Sequence, residues 1–313
     1  MQNNKQAPRW RAISLLLISC ALFGAAMPSR QEEDDETRRL WNRKFQKERE
    51  DAEKLRRDAQ APTGKPKPPA PARPKAKPGA ARGVELDDQL IGVTIWRLRP
   101  ASAGDSRLLV DEKSAASNQL GLYEHERTTV EALFKEGERL RISVEAPRAD
   151  DNYIYVIDRE IYREKGKEIL REPDLIFPSR STPIGESKVS AGKSVYVPAQ
   201  NDQIPYFTLQ RSDKDHVGES VIIIISPKPL PVNVEQPAIQ PAMLAQWERQ
   251  CGGQAERRET RGGAGKPRTK EERDADENNR KLVQGDPLPQ TIYRVRAPLG
   301  ACAMVSIPLR ITP

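Results

Sequence analysis

Short apolar runs bounded by Pro or Gly recur from Ile91 to Ile225, and this punctuation constrains the fold more than any other feature of the chain. Ile91-Gly-Val-Thr-Ile-Trp-Arg-Leu-Arg99 carries β-branched residues at 91, 93 and 95. Leu140, Ile142 and Val144 alternate with Arg139, Arg141, Ser143 and Glu145, the period of a half-buried strand, and Gly137 marks the turn before it. Tyr153-Ile-Tyr-Val-Ile157 is apolar on both faces, which predicts a central strand. Leu175–Phe177, Ser194–Val197, Tyr206–Leu209 and Val221–Ile225 continue the series. Strands this short and this regularly interrupted predict a mainly β fold: one β-sandwich over residues 86–230, Ig-like or jelly-roll-like.

The flanks have a different texture. Residues 231–285 hold a short amphipathic piece, Met243 to Gln250, and then a Gly-rich charged stretch, so they read as a flexible, partly helical insert. Strand-like sequence returns at Thr291–Arg296, Met304–Ile307 and Leu309–Ile311, with a turn beginning at Pro298-Leu-Gly300. A lone hairpin is marginal in water. Residues 286–313 are therefore expected to form a C-terminal β-hairpin that packs on the domain.

At the other end, Lys5, Arg9 and Arg11 precede an apolar run from Ala12 to Met27, and Gly24-Ala-Ala26 supplies small residues behind it. This is the pattern of an export signal over residues 1–26. Three fates follow from the same residues: cleavage after Ala26, lipidation at Cys20 in Leu17-Ile-Ser-Cys20, or retention as a membrane anchor. Residues 27–60 form a charged helical stalk, with acidic residues at its start, Arg56 and Arg57 near its end, and i,i+4 pairs such as Glu50–Lys54 and Glu53–Arg57. Trp41 and Phe45 make an apolar patch on it where a partner helix can dock. Residues 61–85 are a disordered Pro/Lys-rich linker, whose polyproline part spans about 60 Å at roughly 3.1 Å per residue. Solvated segments of this kind explain why only 36% of the 313 residues are hydrophobic while 31% are charged. They also account for the net charge of +7 without invoking nucleic acid, which export and the lack of interleaved aromatics disfavour.

Several of the strand segments occur in a familiar order. Gly92-Val-Thr-Ile-Trp-Arg-Leu-Arg-Pro100, Gly137-Glu-Arg-Leu-Arg-Ile-Ser-Val-Glu-Ala-Pro147, Tyr155-Val-Ile-Asp-Arg-Glu160 and Leu175-Ile-Phe-Pro178 are followed by Pro205-Tyr-Phe-Thr-Leu209, Val217-Gly-Glu219 and Asp286-Pro-Leu-Pro-Gln-Thr-Ile-Tyr293. This set resembles bacterial exported proteins carrying the domain of unknown function 4384. The resemblance covers about residues 90–230 and the terminal strands. It implies an accessory or sensing module with no established chemistry. Asp150-Asp151-Asn152 departs from the small turn residue that relatives place before the Tyr-rich strand, which affects a turn and not the fold.

Chemistry-bearing residues are sparse. The chain has two His residues, at 125 and 216, and no Cys-x-x-Cys, so neither a zinc site nor a Ser–His site has much material. No catalytic, cofactor-binding or metal-ligating residue is predicted. Asp158 and Glu160 lie two apart on a strand, roughly 7 Å from each other on one face. That spacing suits an inverting glycosidase pair; it equally suits two solvated carboxylates at a strand end. Asp150 and Asp151 lack EF-hand spacing and read as a polar turn. Gly262-Gly-Ala-Gly-Lys266 lacks the leading Gly and following Ser or Thr of a phosphate loop and reads as a flexible loop. The loop from Pro178 to Gly192 is the candidate recognition surface, through Arg180, Ser181, Glu186 and Lys188. Tyr153, Tyr155, Tyr206 and Phe207 read as core before they read as a sugar platform. In an oxidising compartment Cys251 and Cys302 can pair.

The expectation is a non-catalytic, exported cell-envelope protein, periplasmic or at the surface, that touches the membrane only through its N-terminal segment. Its β domain then serves protein–protein interaction or sensing, with another envelope protein as partner. A module binding cell wall or glycan, such as peptidoglycan or an anionic surface polymer, is the alternative. A hydrolase built on Asp158 and Glu160 is the remote one.

Overall fold

The computed structural model describes residues 39–43, 86–101, 123–147, 152–182, 187–199, 202, 204–283 and 285–312. The export signal, Cys20, Phe45, the 61–85 linker and Glu186 lie outside the described residues. Among the described residues no helix is long and apolar enough to cross a membrane.

The fold is mainly β, with two sheets face to face. The first sheet is built around β1 (Leu86–Pro100), the longest strand. One edge of β1 pairs with β4 (Arg139–Glu145). Its other edge is shared, the first half pairing with β14 (Thr291–Pro298) and the second with β2 (Tyr123–Thr128). Beyond β4 lie β10 (Ser194–Val197) and β11 (Phe207–Thr208), and beyond β14 lies β13 (Gln254–Glu259). The second sheet runs β3 (Leu133–Phe134), β15 (Ala303–Ile311), β12 (His216–Ser226), β5 (Asn152–Asp158) and β8 (Asp174–Phe177). Onto it are added β6 (Glu160–Glu164), paired with β12, then β7 (Lys167–Leu170), paired with β6, and β9 (Lys188–Val189), paired with β5.

Strand alternation determines what fills the space between the sheets. Ile91, Val93 and Ile95 point inward from β1, and Ile142 and Val144 from β4. Facing them are Ile154 and Val156 of β5 and Val221, Ile223 and Ile225 of β12. Because both faces of β5 and β12 are apolar, a second layer must cover their outer residues. Helix α1 (Pro241–Cys251) does this by placing Leu244 and Trp247 over Tyr155, Ile157, Ile222 and Ile224. Cys251, the last residue of α1, is disulfide-bonded to Cys302, just before β15.

Three expectations need correction. The segment 231–285 is not a flexible excursion. It supplies α1, the edge strand β13 and helix α2 (Lys270–Glu277), which covers the outer face of the first sheet. Its glycine loop is pinned to β2, since the amide of Gly265 donates to the Arg127 carbonyl (2.8 Å) and the amide of Arg127 donates to that of Lys266 (2.9 Å). The terminal strands are not a hairpin either. β14 lies in the first sheet and β15 in the second, joined by an arch at residues 299–302 that includes Gly300 at φ 75°. Tyr293 and Val295 face the shared core from one side, and Val305 and Ile307 from the other. The arch thus lets the two strands face each other across the core instead of lying side by side in one sheet.

β12 pairs with β6 from His216 to Glu219, irregularly between His216 and Gly218, and with β5 from Ile222 onward. Gly218 has φ 151°, and a Cβ there would stand 2.1 Å from the Leu309 carbonyl oxygen of β15. Gly218→Ala is therefore expected to cost about 1–3 kcal/mol, read as a lower urea midpoint.

Candidate functional site

The neighbour switch in β12 gathers most of the polar chemistry found on the second sheet. Glu160, the first residue of β6, is directly opposite Glu219 of β12. Asp158, the last residue of β5, hydrogen-bonds to the Glu219 side chain. Arg159 between them turns away, donating to the carbonyl of Arg171 (2.8 Å). Asp158 and Glu160 were expected to be solvated. Instead Asp158 Oδ1 is buried without a hydrogen-bond partner, as is Oε2 of Glu219. Burial first, and then the neighbouring carboxylates, push Asp158 up to about 6 and Glu219 up to about 9. At neutral pH the pair holds one proton between its two carboxyls and titrates as a unit.

His216 closes one side of this cluster. It is fully buried and stacks on Tyr162, ring centroids 5.2 Å apart. Its Nδ1 accepts from the Ser212 amide (3.1 Å), which leaves Nε2 as donor toward the Gly218 carbonyl (2.8 Å) and Glu219 Oε1 (3.2 Å). A serine, a histidine and a carboxylate thus stand in a row. The Ser212 hydroxyl, however, donates to Glu160 (2.5 Å), while His216 Nδ1 is 3.4 Å away and already occupied. The hydroxyl of Ser212 is thus directed at a carboxylate and not at the imidazole. Of the two carboxylates read as a glycosidase pair, Glu160 accepts from Ser212 and Asp158 is engaged with Glu219.

This arrangement has a measurable signature. The unfolded carboxyls titrate near about 4, so the folded state binds extra protons above that pH. Stability from the pair is fully present below pH ~4 and is lost as pH rises through the folded values. Glu219→Gln keeps a neutral donor for Asp158. It should leave melting at pH 5 nearly unchanged and raise the midpoint at pH 9.5, flattening the profile. An identical loss at both pH values would refute the shared proton.

On the outer face of the first sheet, charge is buried in pairs. Thr269 and Glu272 form a capping box that starts α2. The same Glu272 pairs with Arg127, whose guanidinium lies 5.2 Å over Trp96. Arg141, 0% exposed, bonds Asp276 through Nη1 (2.6 Å) and Nη2 (3.2 Å) and lies 5.1 Å over Tyr196. Arg268 contributes a second guanidinium to Asp276 (2.6 Å).

Beside this helix is a notch. Gly92 of β1 leaves a gap between Leu90 and Ile292, and the helical segment 39–43 sets Trp41, 5% exposed, against it. A Cβ at Gly92 would stand 2.3 Å from Pro289 Cγ and 2.8 Å from Trp41 Cη2. Next to Trp41 a small cleft is lined by Asn42, Glu145, Leu282 and Asp286, and burial pushes the Glu145 carboxyl up to about 7. Trp41, read as part of a patch on a solvated stalk where a partner helix can dock, is thus engaged by its own chain.

The predicted recognition loop is tied to its own chain as well. Arg180 donates to the Glu235 carbonyl (2.8 Å) and pairs with its carboxylate (3.1 Å), and Ser181 donates to Asp202. Lys188 belongs to β9 and lies 5.4 Å over the Tyr153 ring. Of the tyrosines, Tyr155 is buried under α1. Tyr206 is partly exposed, with Tyr123 5.8 Å away and Arg139 4.6 Å over its ring.

No family model, curated protein or solved structure matches this chain.

Proposed function

We propose that this is an exported, non-catalytic cell-envelope protein whose β-sandwich mediates protein–protein interaction or sensing. The observation that carries the reading is the Cys251–Cys302 bond, which ties α1 to the start of β15. Disulfides of this structural kind persist in oxidising compartments, and the residues before Met27 have the composition of an export signal. The engagement of Asp158 with Glu219, and of Glu160 with Ser212, supports a binding role over hydrolysis built on Asp158 and Glu160. The partner is expected to be another envelope protein. Fusing alkaline phosphatase after residue 313 tests the route: an active fusion supports export, and an inactive, stably expressed one refutes it. In-cell crosslinking tests the role. A discrete protein captured by the full chain and lost on deleting residues 86–230 is the expected result; wall fragments alone would favour glycan binding instead.

A further inference from the structure

We propose that Arg139, clamped between Tyr123 and Tyr206 on the outer face of the first sheet, is the docking site for a carboxylate on an acidic peptide segment of a partner protein. The same face already holds two filled sites of this build. Arg127 lies over Trp96 and pairs with Glu272, and Arg141 lies over Tyr196 and pairs with Asp276. In each, an aromatic ring holds the guanidinium and a carboxylate from α2 receives its N–H groups.

Arg139 repeats the first half of this pattern without the second. It stands two residues before Arg141 on β4, and strand alternation turns both to one face. Its guanidinium lies 4.8 Å over Tyr123 and 4.6 Å over Tyr206, whose rings are 5.8 Å apart. Among the described residues no carboxylate pairs with it and no carbonyl accepts from it. Arg139 and both rings are partly exposed, and Thr208, opposite Arg139 on β11, is exposed, so the site opens to solvent.

Two features suit it to a ligand carboxylate. The clamp rests on Trp96 and Leu98, 1% and 5% exposed, and a charge-assisted bond beside such an apolar floor is stronger than in open water. The rings also restrict the side chain before any ligand arrives, so little rotamer freedom is left to lose on binding. A sugar would stack on a bare ring face, whereas here the guanidinium lies over both rings. The two filled sites take side-chain carboxylates of a polypeptide, and the third is read as taking the same group from another chain. Arg and Tyr are residues that protein interfaces favour. This deepens the interaction reading above and rests on it.

Nitrogen-15 NMR of the full chain labelled on arginine tests the site through the Arg139 Nε–H signal, assigned by Arg139→Lys. The probe is a capped hexaglutamate peptide, with oligoglucuronate of equal charge for comparison. The peptide is expected to shift the Arg139 signal saturably, while Arg127 and Arg141, whose carboxylates are in place, stay unmoved and report the fold in every variant. Tyr206→Ala should weaken that binding about threefold. A signal that does not move, or moves without saturating, overturns the site, and an affinity unchanged by Tyr206→Ala overturns the clamp. Saturation by oligoglucuronate at equal or lower concentration makes the ligand an acidic glycan, and the proposal falls. In cells, a discrete crosslinked protein captured equally by the Arg139→Gln chain sinks the site and leaves the interaction reading standing. Saturable peptide binding with no protein captured in cells upholds the site and sinks that reading.

Discussion

Arg141→Ala is expected to lower stability by about 3–5 kcal/mol, a large part of the roughly 5–15 kcal/mol available to a domain. Arg141 is 0% exposed and donates to Asp276 and to the Pro198 carbonyl. Truncating it removes one of two guanidinium groups from a carboxylate that is itself only 3% exposed. Burial opposes the charge on Asp276, but Arg141 and Arg268 together still hold its carboxyl below the usual carboxylate range. With Arg141 gone, Asp276 keeps Arg268 but loses two hydrogen bonds in a buried site, and the Pro198 carbonyl loses both of its donors from this side chain. Most of the loss therefore comes from the groups left behind, not from the pair itself. Arg141→Met, Arg268→Met and Asp276→Leu together remove the whole buried charge cluster and should recover much of the stability. Urea unfolding of the single and triple variants checks this. If the triple variant is no better than the single, the interpretation of uncompensated polar groups fails.

The same residues show where hydropathy stops being informative. β1, β4, β5, β10 and β12 were legible because Ile91, Val144, Ile154, Val195 and Ile223 follow the period of a sheet. β2 (Tyr-Glu-His-Glu-Arg-Thr) and β13 (Gln-Ala-Glu-Arg-Arg-Glu) were not, since their side chains are mainly charged. β13 is an edge strand exposed along most of its length, where charge guards the free edge. β2 is buried, but its Glu124 and Arg127 are covered by elements far away in sequence. A one-dimensional pattern cannot tell Glu272 paired under α2 from a glutamate in water. Asp158 and Glu160 were singled out as a pair, yet the decisive partner is Glu219, some 60 residues on, brought opposite Glu160 by the register of β12. Gly218 beside it was the available signal: a glycine within a strand marks an irregularity where side chains can be redirected. Trp41 carried a similar signal, an aromatic among charges, though its binding surface depends on strands that begin at residue 86.

Replacing Cys251 and Cys302 together by Ser is expected to lower stability by about 2–4 kcal/mol without abolishing the fold. The two positions are separated by 51 residues, a span that includes β13, α2 and all of β14. Closing so long a loop removes much conformational freedom from the unfolded chain. That entropy is what the variant gives back. Folding itself should survive because α1 adheres independently of the bond: Leu244 and Trp247 are 2% and 3% exposed against Tyr155, Ile157 and Ile224. The two sheets likewise share a core to which neither cysteine belongs. Two further outcomes follow. Dithiothreitol should shift the urea midpoint of the unmodified protein to that of the variant, and should leave the variant unmoved. Trp247→Ala added to the double Ser variant should cost more than it does in the oxidised protein, because the apolar contact is then the main hold on α1. A reductant-insensitive midpoint in protein purified from the envelope would mean that the bond does not form there, and the strongest support for an oxidising compartment would go with it.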